Sequence, residues 1–231
     1  MLFIYFYDIV IMRDNLPFVS VVTPTFNRRK FIPIVKKCFL DQSFPQENME
    51  WIIIDDGTDK IEDLVNDLPN VRYFALKTRM VLGQKRNLCN KYSKGDIIVC
   101  FDDDDYYPQE RVFDAVVTLK KYNAGIVGSS LRFAYYPKYD KIYQFGPHAI
   151  TEEQAKSIAD MDASQGIDTN KPMNTTHSTN NAMAYTKKFA ETHIYPNKWK
   201  AEESPFTNNF SEKMVQLDPF KTILQISHDT N

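Results

Sequence analysis

The chain has no segment long enough to cross a bilayer. The apolar stretch from Met1 to Met12 is interrupted by Asp8 and falls well short of the roughly 20 residues a spanning helix needs. It also lacks a basic n-region and a small-residue cleavage site, so this stretch does not read as a secretory signal. Residues 1–16 therefore read as an apolar leader or an extra packed strand. The expected setting is cytoplasmic: intracellular and soluble, with contact at a membrane periphery the most such a leader would support. Paired cysteines are lacking too. Cys38, Cys89 and Cys100 are far apart, without zinc or redox spacing, and read as reduced core residues. Nor is there an excess of one charge. A formal net charge of -2, a pI near 6.1 and scattered Lys and Arg exclude a broad nucleic-acid surface, though local cations remain for a phosphate. No internal repeat or low-complexity tract interrupts the 231 residues, which suit a single domain.

What is there alternates between strand-like and helix-like segments, the signature of an α/β domain with a central mixed, mainly parallel sheet flanked by helices. Val19 to Thr23, Trp51 to Ile54, Val71 to Leu76 and Ile97 to Phe101 read as strands. Phe31, Ile34, Val35, Cys38 and Phe39 line one face of a helix over 28–40. Ile61, Leu64, Val65 and Leu68 predict a short helix closed by Pro69, and Gly83 opens another that Gly95 closes. Pro108 suits the first turn of a further helix with Val112, Val116 and Leu119 as its stripe. Past Gly125 the pattern is less regular. It predicts hairpin strands over 131–136 and 141–145, a surface loop with some helix over 151–176, a strand over 181–186 and a short helix over 202–210.

Four consecutive aspartates, Asp102 to Asp105, follow the strand ending at Phe101. Two carboxylates about 5 Å apart repel by about 3 kcal/mol at an effective dielectric near 20, so such a cluster needs a cation, bound protons or good hydration. An extended run would put Asp102 and Asp104 on one face, with Asp103 and Asp105 on the other. In open α/β sheets the ligand crevice lies outside the carboxyl ends of the strands, so Thr23-Pro24, Asp55-Asp56 and the aspartates converge there. Lys85 and Arg86 fall in a first helical turn, where the macrodipole disfavours cations and an anionic partner would explain them.

Val21-Val-Thr-Pro-Thr-Phe-Asn-Arg28, Trp51-Ile-Ile-Ile-Asp-Asp-Gly-Thr58, Gly83-Gln-Lys-Arg-Asn87 and Phe101-Asp-Asp-Asp-Asp105, in this order, resemble the motifs of family 2 glycosyltransferases. The resemblance covers about Val19 to Val112 closely and the remainder loosely. It implies the GT-A (nucleotide-diphospho-sugar transferase) fold, with residues 17–127 a nucleotide-sugar-binding half and 128–231 an acceptor-binding half of the same domain. It further implies an inverting transfer from a nucleotide-sugar donor, a UDP-sugar, to the hydroxyl of a glycan or other acceptor. Pro24, Thr25, Asn27 and Arg28 would line the donor pocket and Asp56 would accept a hydrogen bond from the nucleobase. Standing alone, Asp56-Gly57 reads as a turn. Lys85 and Arg86 would offset phosphate charge, Asp102 would contact the ribose, and Asp104 would hold Mn²⁺ or Mg²⁺, with Asp103 or Asp105 taking that place if the register shifts. Asp103 is counted with the donor site. His228 would be a further metal ligand, and a mixed oxygen and imidazole site favours Mn²⁺. Glu203 would be the general base, with Glu202 as its neighbour or as the base itself in a register slipped by one. This sequence has Glu-Glu where the family commonly has Glu-Asp.

His177, in the polar loop Thr176 to Asn181, would donate to a donor sugar hydroxyl or phosphate. Phe133, Tyr135, Tyr136, Tyr139, Tyr143 and Phe145 would pack a hairpin or stack on acceptor rings. Two other readings remain. One is a nucleotidyltransferase making sugar nucleotides, which would usually carry a Gly-rich basic loop after the first strand, whereas Thr23 to Arg28 contains no glycine. The other is a non-catalytic module binding metal or nucleotide sugar.

Overall fold

The structure is a computed structural model and describes residues 15–146 and 176–228. The leader, apart from its last two residues, and nearly all of the 151–176 loop lie outside the described residues. The first strands form where the apolar runs predict them. β1 (Val19–Thr25) pairs in parallel with β2 (Met49–Asp55) and β4 (Ile97–Cys100), and β2 pairs in parallel with β3 (Val71–Ala75). Successive residues point to opposite faces, and β1, β2 and β4 are buried at every position, so they are mostly apolar, with buried polar members such as Ser20 and Glu50 hydrogen-bonded to each other. Val19, Val21, Trp51, Ile53, Ile97 and Val99 join one buried cluster, whereas Val22, Ile52, Ile54, Ile98 and Cys100 join a second.

Helices cover each face. α1 (Ile32–Leu40) brings Ile32, Val35, Cys38 and Phe39 to the first cluster, and α3 (Arg111–Lys121) brings Val112, Ala115, Val116 and Leu119. α2 (Leu82–Tyr92) packs on the second through Cys89 and Leu88. All three cysteines are buried and free, as their spacing predicts.

The later chain completes the sheet. β5 (Ile126–Gly128), β8 (Ala184–Thr186) and β9 (Met214–Gln216) extend it to seven strands in the order β3-β2-β1-β4-β8-β5-β9, with β8 antiparallel to both neighbours. β6 (Arg132–Tyr136), β7 (Lys141–Phe145) and β10 (Leu224–Ile226) make a separate sheet in the order β10-β6-β7, joined to the aspartate loop by a bridge between Tyr106 and Leu224. α4 (Lys187–Thr192), α5 (Glu203–Phe206) and α6 (Pro219–Thr222) are short. The result is an α/β domain on a mixed, mostly parallel sheet, with the GT-A architecture.

Several boundaries differ from expectation. The helix predicted over 28–40 starts at Ile32, where Pro33 occupies the first turn. The helix predicted over 61–68 is one 3₁₀ turn, Glu62–Leu64, which is all that the short span before Pro69 allows. The strand predicted over 181–186 begins at Ala184, after a 3₁₀ turn at Asn180–Ala182. α5 ends at Phe206 rather than 210, because Asn208, Asn209 and Phe210 have φ of 49°, 58° and 60°.

Candidate active site

The loops after β1, β2 and β4 meet at one edge of the sheet. After β1, Asn27 has φ 55° and its Oδ1 accepts from the backbone amides of Thr58 (2.7 Å) and Asp59 (3.0 Å). This ties the first loop to the second. A Cβ on Gly57 would stand 2.6 Å from the Asn27 amide nitrogen, so the contact requires glycine there. The side chain of Asn27 is thus engaged in joining two loops. Pro24 and Thr25 are buried in the last turn of β1.

The helix begins at Leu82, which puts Lys85 and Arg86 just past its first turn, and both pair with carboxylates of the chain. Buried Lys85 donates from Nζ to Asp56 Oδ1 (2.7 Å) and to the Thr25 carbonyl (3.1 Å), while Asp56 Oδ2 accepts from the Met80 amide (2.6 Å). Arg86, also buried, donates from Nε to Glu202 Oε1 at 2.7 Å and from Nη1 to Asp102 Oδ1 at 3.0 Å. Burial alone would lower its pKa, but Asp102 and Glu202 outweigh that and hold it above the ordinary value.

The aspartates form a turn rather than an extended run, yet their exposure still alternates: Asp102 and Asp104 are partly exposed, Asp103 and Asp105 buried. Asp105 Oδ2 accepts from Asn181 Nδ2 (2.7 Å) and its Oδ1 from the Ile226 amide (3.1 Å), so it anchors the loop to β10. Burial, with Asp104 and Asp102 adding like charge, holds its pKa well above the carboxylate range. Asp103 is pushed up to about 7 by burial and by the charge of Asp104. Asp104 is shifted upward by burial and by Asp102, partly opposed by a hydrogen bond to His228.

Asp102, Asp104, Arg28, Asn181, Tyr136 and Gln225 are among the residues lining a cavity of about 340 Å³ between this loop and the small sheet. Arg28 Nη2 lies 3.5 Å from Asp104 Oδ2, and Arg28 Nε lies 3.9 Å from Asp103 Oδ1. His228 Nε2 is 3.0 Å from the same Asp104 oxygen, and its ring packs on Phe31 with centroids 4.4 Å apart. That separation is an ordinary hydrogen bond, made by two side chains of the types that bind divalent ions. No group of three His, Cys, Asp or Glu side chains capable of holding a metal occurs among the described residues. An ion held by this pair would have to take its remaining ligands from water or phosphate.

Glu202 and Glu203 differ sharply. Glu202 is buried against Arg86, whereas Glu203, at the start of α5, is partly exposed and has its pKa raised by burial and by the charge of Glu202. Ala201, just before them, has φ 54°. His177 packs its ring against Phe210 (centroids 4.7 Å) and is not among the residues lining the cavity. The aromatic cluster is divided. Tyr136 meets Tyr143 edge-on at 5.2 Å beside the cavity, Phe133 stacks on Phe220 at 4.9 Å, and Tyr139 is exposed. Sequence reasoning passed over Asn181, Gln225 and the anchoring role of Asp105. The first signal available for Asn181 was its place at the end of the polar loop; Gln225 carried none.

The profile of glycosyl transferase family 2 matches residues 20–192. Over 114 residues the chain is 29% identical to the poly(ribitol-phosphate) beta-N-acetylglucosaminyltransferase TarS of Staphylococcus aureus, covering 47% of this chain and 20% of that protein. A dolichyl N-acetyl-alpha-D-glucosaminyl phosphate 3-beta-D-2,3-diacetamido-2,3-dideoxy-beta-D-glucuronosyltransferase of Methanococcus voltae is 28% identical over 111 residues, covering 45% of this chain and 34% of that protein. The matched segments thus span a fifth to a third of these relatives. Among solved structures, S. aureus TarS 1-349 in complex with UDP-GlcNAc superposes with a TM-score of 0.67 at 17% identity, covering 91% of this chain and 59% of that one. The mannosyltransferase PcManGT from Pyrobaculum calidifontis, in complex with GDP-Man and Mn²⁺, gives a TM-score of 0.67 at 17% identity, over 97% of this chain and 64% of that one.

Proposed function

The chain belongs to glycosyl transferase family 2, and on that premise we propose that it is a metal-dependent inverting glycosyltransferase moving a sugar from a UDP-sugar to an acceptor hydroxyl. The observation that carries the proposal is Arg86. One buried guanidinium holds Asp102 at the end of β4 and Glu202 beside the candidate base, so the donor acid and the base segment share a fixed point. The uridine preference draws on the TarS complex with UDP-GlcNAc. The use of a divalent ion draws on the PcManGT complex with Mn²⁺ and on the Asp104 and His228 pair.

In this reading residues 17–127 bind the nucleotide sugar and 128–231 the acceptor, a glycan or other hydroxyl compound. Pro24 and Thr25 border the nucleobase, and Asp56, whose fully buried carboxylate is taken by Lys85 and the Met80 amide, stands behind them. Asp102 binds the ribose, and Asp104 with His228 holds the ion. Bound there, Mn²⁺ or Mg²⁺ takes up the charge developing on the leaving nucleoside diphosphate. Arg28, paired with Asp103 and Asp104 and lining the cavity, joins Lys85 and Arg86, which lie behind it on Asp56, Asp102 and Glu202, in balancing the diphosphate charge. Glu203 takes the proton of the acceptor hydroxyl as it attacks, and its raised pKa makes it a stronger proton acceptor than an exposed glutamate.

The test is nucleoside diphosphate release across a panel of UDP- and GDP-sugars with Mn²⁺ or Mg²⁺. Folded protein that neither binds nor turns over any donor overturns the proposal. Donor binding without turnover by the wild type supports the non-catalytic module instead.

A further inference from the structure

Asn87 follows Arg86 on α2 and faces the segment that leads to the candidate base. Its Nδ2 donates to the Tyr195 carbonyl at 2.9 Å, and its Oδ1 accepts from the Tyr195 amide at 3.0 Å. A side-chain amide has one donor edge and one acceptor edge, and both are used here on the two backbone groups of one residue. The Tyr195 ring then stacks on Phe206 of α5, with centroids 3.8 Å apart and planes within 3°. Phe206 is fully buried, and Glu203 opens the same short helix. A continuous line of contacts therefore runs from Asn87 through Tyr195 and Phe206 to the helix that carries Glu203.

The segment also follows α2 closely. The Gly83 amide donates to the Lys198 carbonyl at 3.1 Å, and a Cβ on Gly83 would stand 1.9 Å from the Pro196 carbonyl oxygen. Between this strap and α5 the backbone is strained at Ala201, with φ 54°, in a region costing about 1–2 kcal/mol for a residue with a Cβ, and Phe210 beyond α5 has φ 60°. Such conformations persist only where surrounding contacts over-determine them. Arg86 fixes Glu202 at one end of this stretch, and Asn87 fixes Tyr195 before it.

We propose that Asn87 is a positioning residue that sets the base-bearing helix against the donor site by clamping the Tyr195 backbone. The proposal rests on Glu203 as the base. A displacement of reacting groups by about 1 Å can cost about 10²-fold in rate, so loosening the clamp lowers turnover without removing any group that touches the donor. The test compares Asn87→Ala and Asn87→Asp with the wild type. Asn87→Asp keeps an acceptor for the Tyr195 amide and loses the donor to its carbonyl.

Three measurements are made well below each variant's melting temperature: kcat, donor Kd by calorimetry with UDP-sugar and Mn²⁺, and amide hydrogen exchange over 195–206. The expected result is a fall in kcat of about 10- to 100-fold in Asn87→Ala, a smaller fall in Asn87→Asp, unchanged donor Kd, and faster exchange confined to 195–206. Unchanged exchange there overturns the proposal, as does loss of donor affinity in step with kcat. Absence of turnover in the wild type overturns the transferase reading, and with it the role in catalysis, while the exchange pattern still decides whether the clamp exists.

Discussion

His228 Nε2 stands 3.0 Å from Asp104 Oδ2 across 124 positions of chain. The contact brings the chain just past β10 of the small sheet to the aspartate loop, hydrogen-bonding residues that neither motif alone would join. Both side chains are largely buried, and Arg28 and Phe31 press on the same corner. As a metal edge, the two ligands should act as a unit. His228→Ala and Asp104→Asn are each expected to raise the Mn²⁺ concentration giving half-maximal turnover by about tenfold or more, and the double variant to do little worse than either. Additive losses in the Mn²⁺ titration would show that the pair shares no ion.

Glu202 and Glu203 are separable by what they touch. Glu203→Gln should lower kcat by about 10²- to 10⁴-fold while leaving donor affinity and melting temperature nearly unchanged. Glu202→Gln strips a charge from a buried pair with Arg86 and should instead lower stability by about 3 kcal/mol. Thermal denaturation and steady-state kinetics on both variants distinguish the roles. The assignment fails if Glu203→Gln turns over like the wild type.

Burial and Glu202 raise the pKa of Glu203, and the base works only when ionised. Activity is therefore expected on the high-pH side of that raised value and lost as pH falls through it. A kcat profile in Mn²⁺ should show its acidic limb above the range of an exposed glutamate. Glu203→Gln should remove that limb.

Burial pushes the Asp103 carboxyl up to about 7 in the folded protein from its ordinary 3.8, with Asp105 shifted the same way. Between those values the folded state holds more protons than the unfolded state, so the stability it contributes is present below about pH 4 and is lost as pH rises towards 7. The slope is up to about 1.4 kcal/mol per pH unit for one group. Divalent ions should offset the repulsion of the ionised cluster. The rise in melting temperature on adding Mn²⁺ is accordingly expected to be larger at pH 8 than at pH 5.5, and equal shifts at both would contradict it.

The sequence by itself determined the frame. A strand buried on both faces is apolar at most positions, so Val19 to Thr23, Trp51 to Ile54 and Ile97 to Phe101 were legible as sheet strands, and α/β topology alone sends their carboxyl ends to one edge. The order of the motifs marked Asp56, Arg86, the aspartates and the Glu202-Glu203 pair as the residues to watch. Tertiary structure decided how they divide the work. Alternation separates Asp102 and Asp104 from Asp103 and Asp105 without saying which pair will be buried, and that depended on Asn181 and the Ile226 amide arriving to hold Asp105. Lys85 and Arg86 announced a need for anions without naming them. Asp56, Asp102 and Glu202 came to them from 29, 16 and 116 residues away. Local pattern fixes elements because backbone geometry repeats every few residues, whereas the pairing of charges across such distances is set only when packing closes the fold.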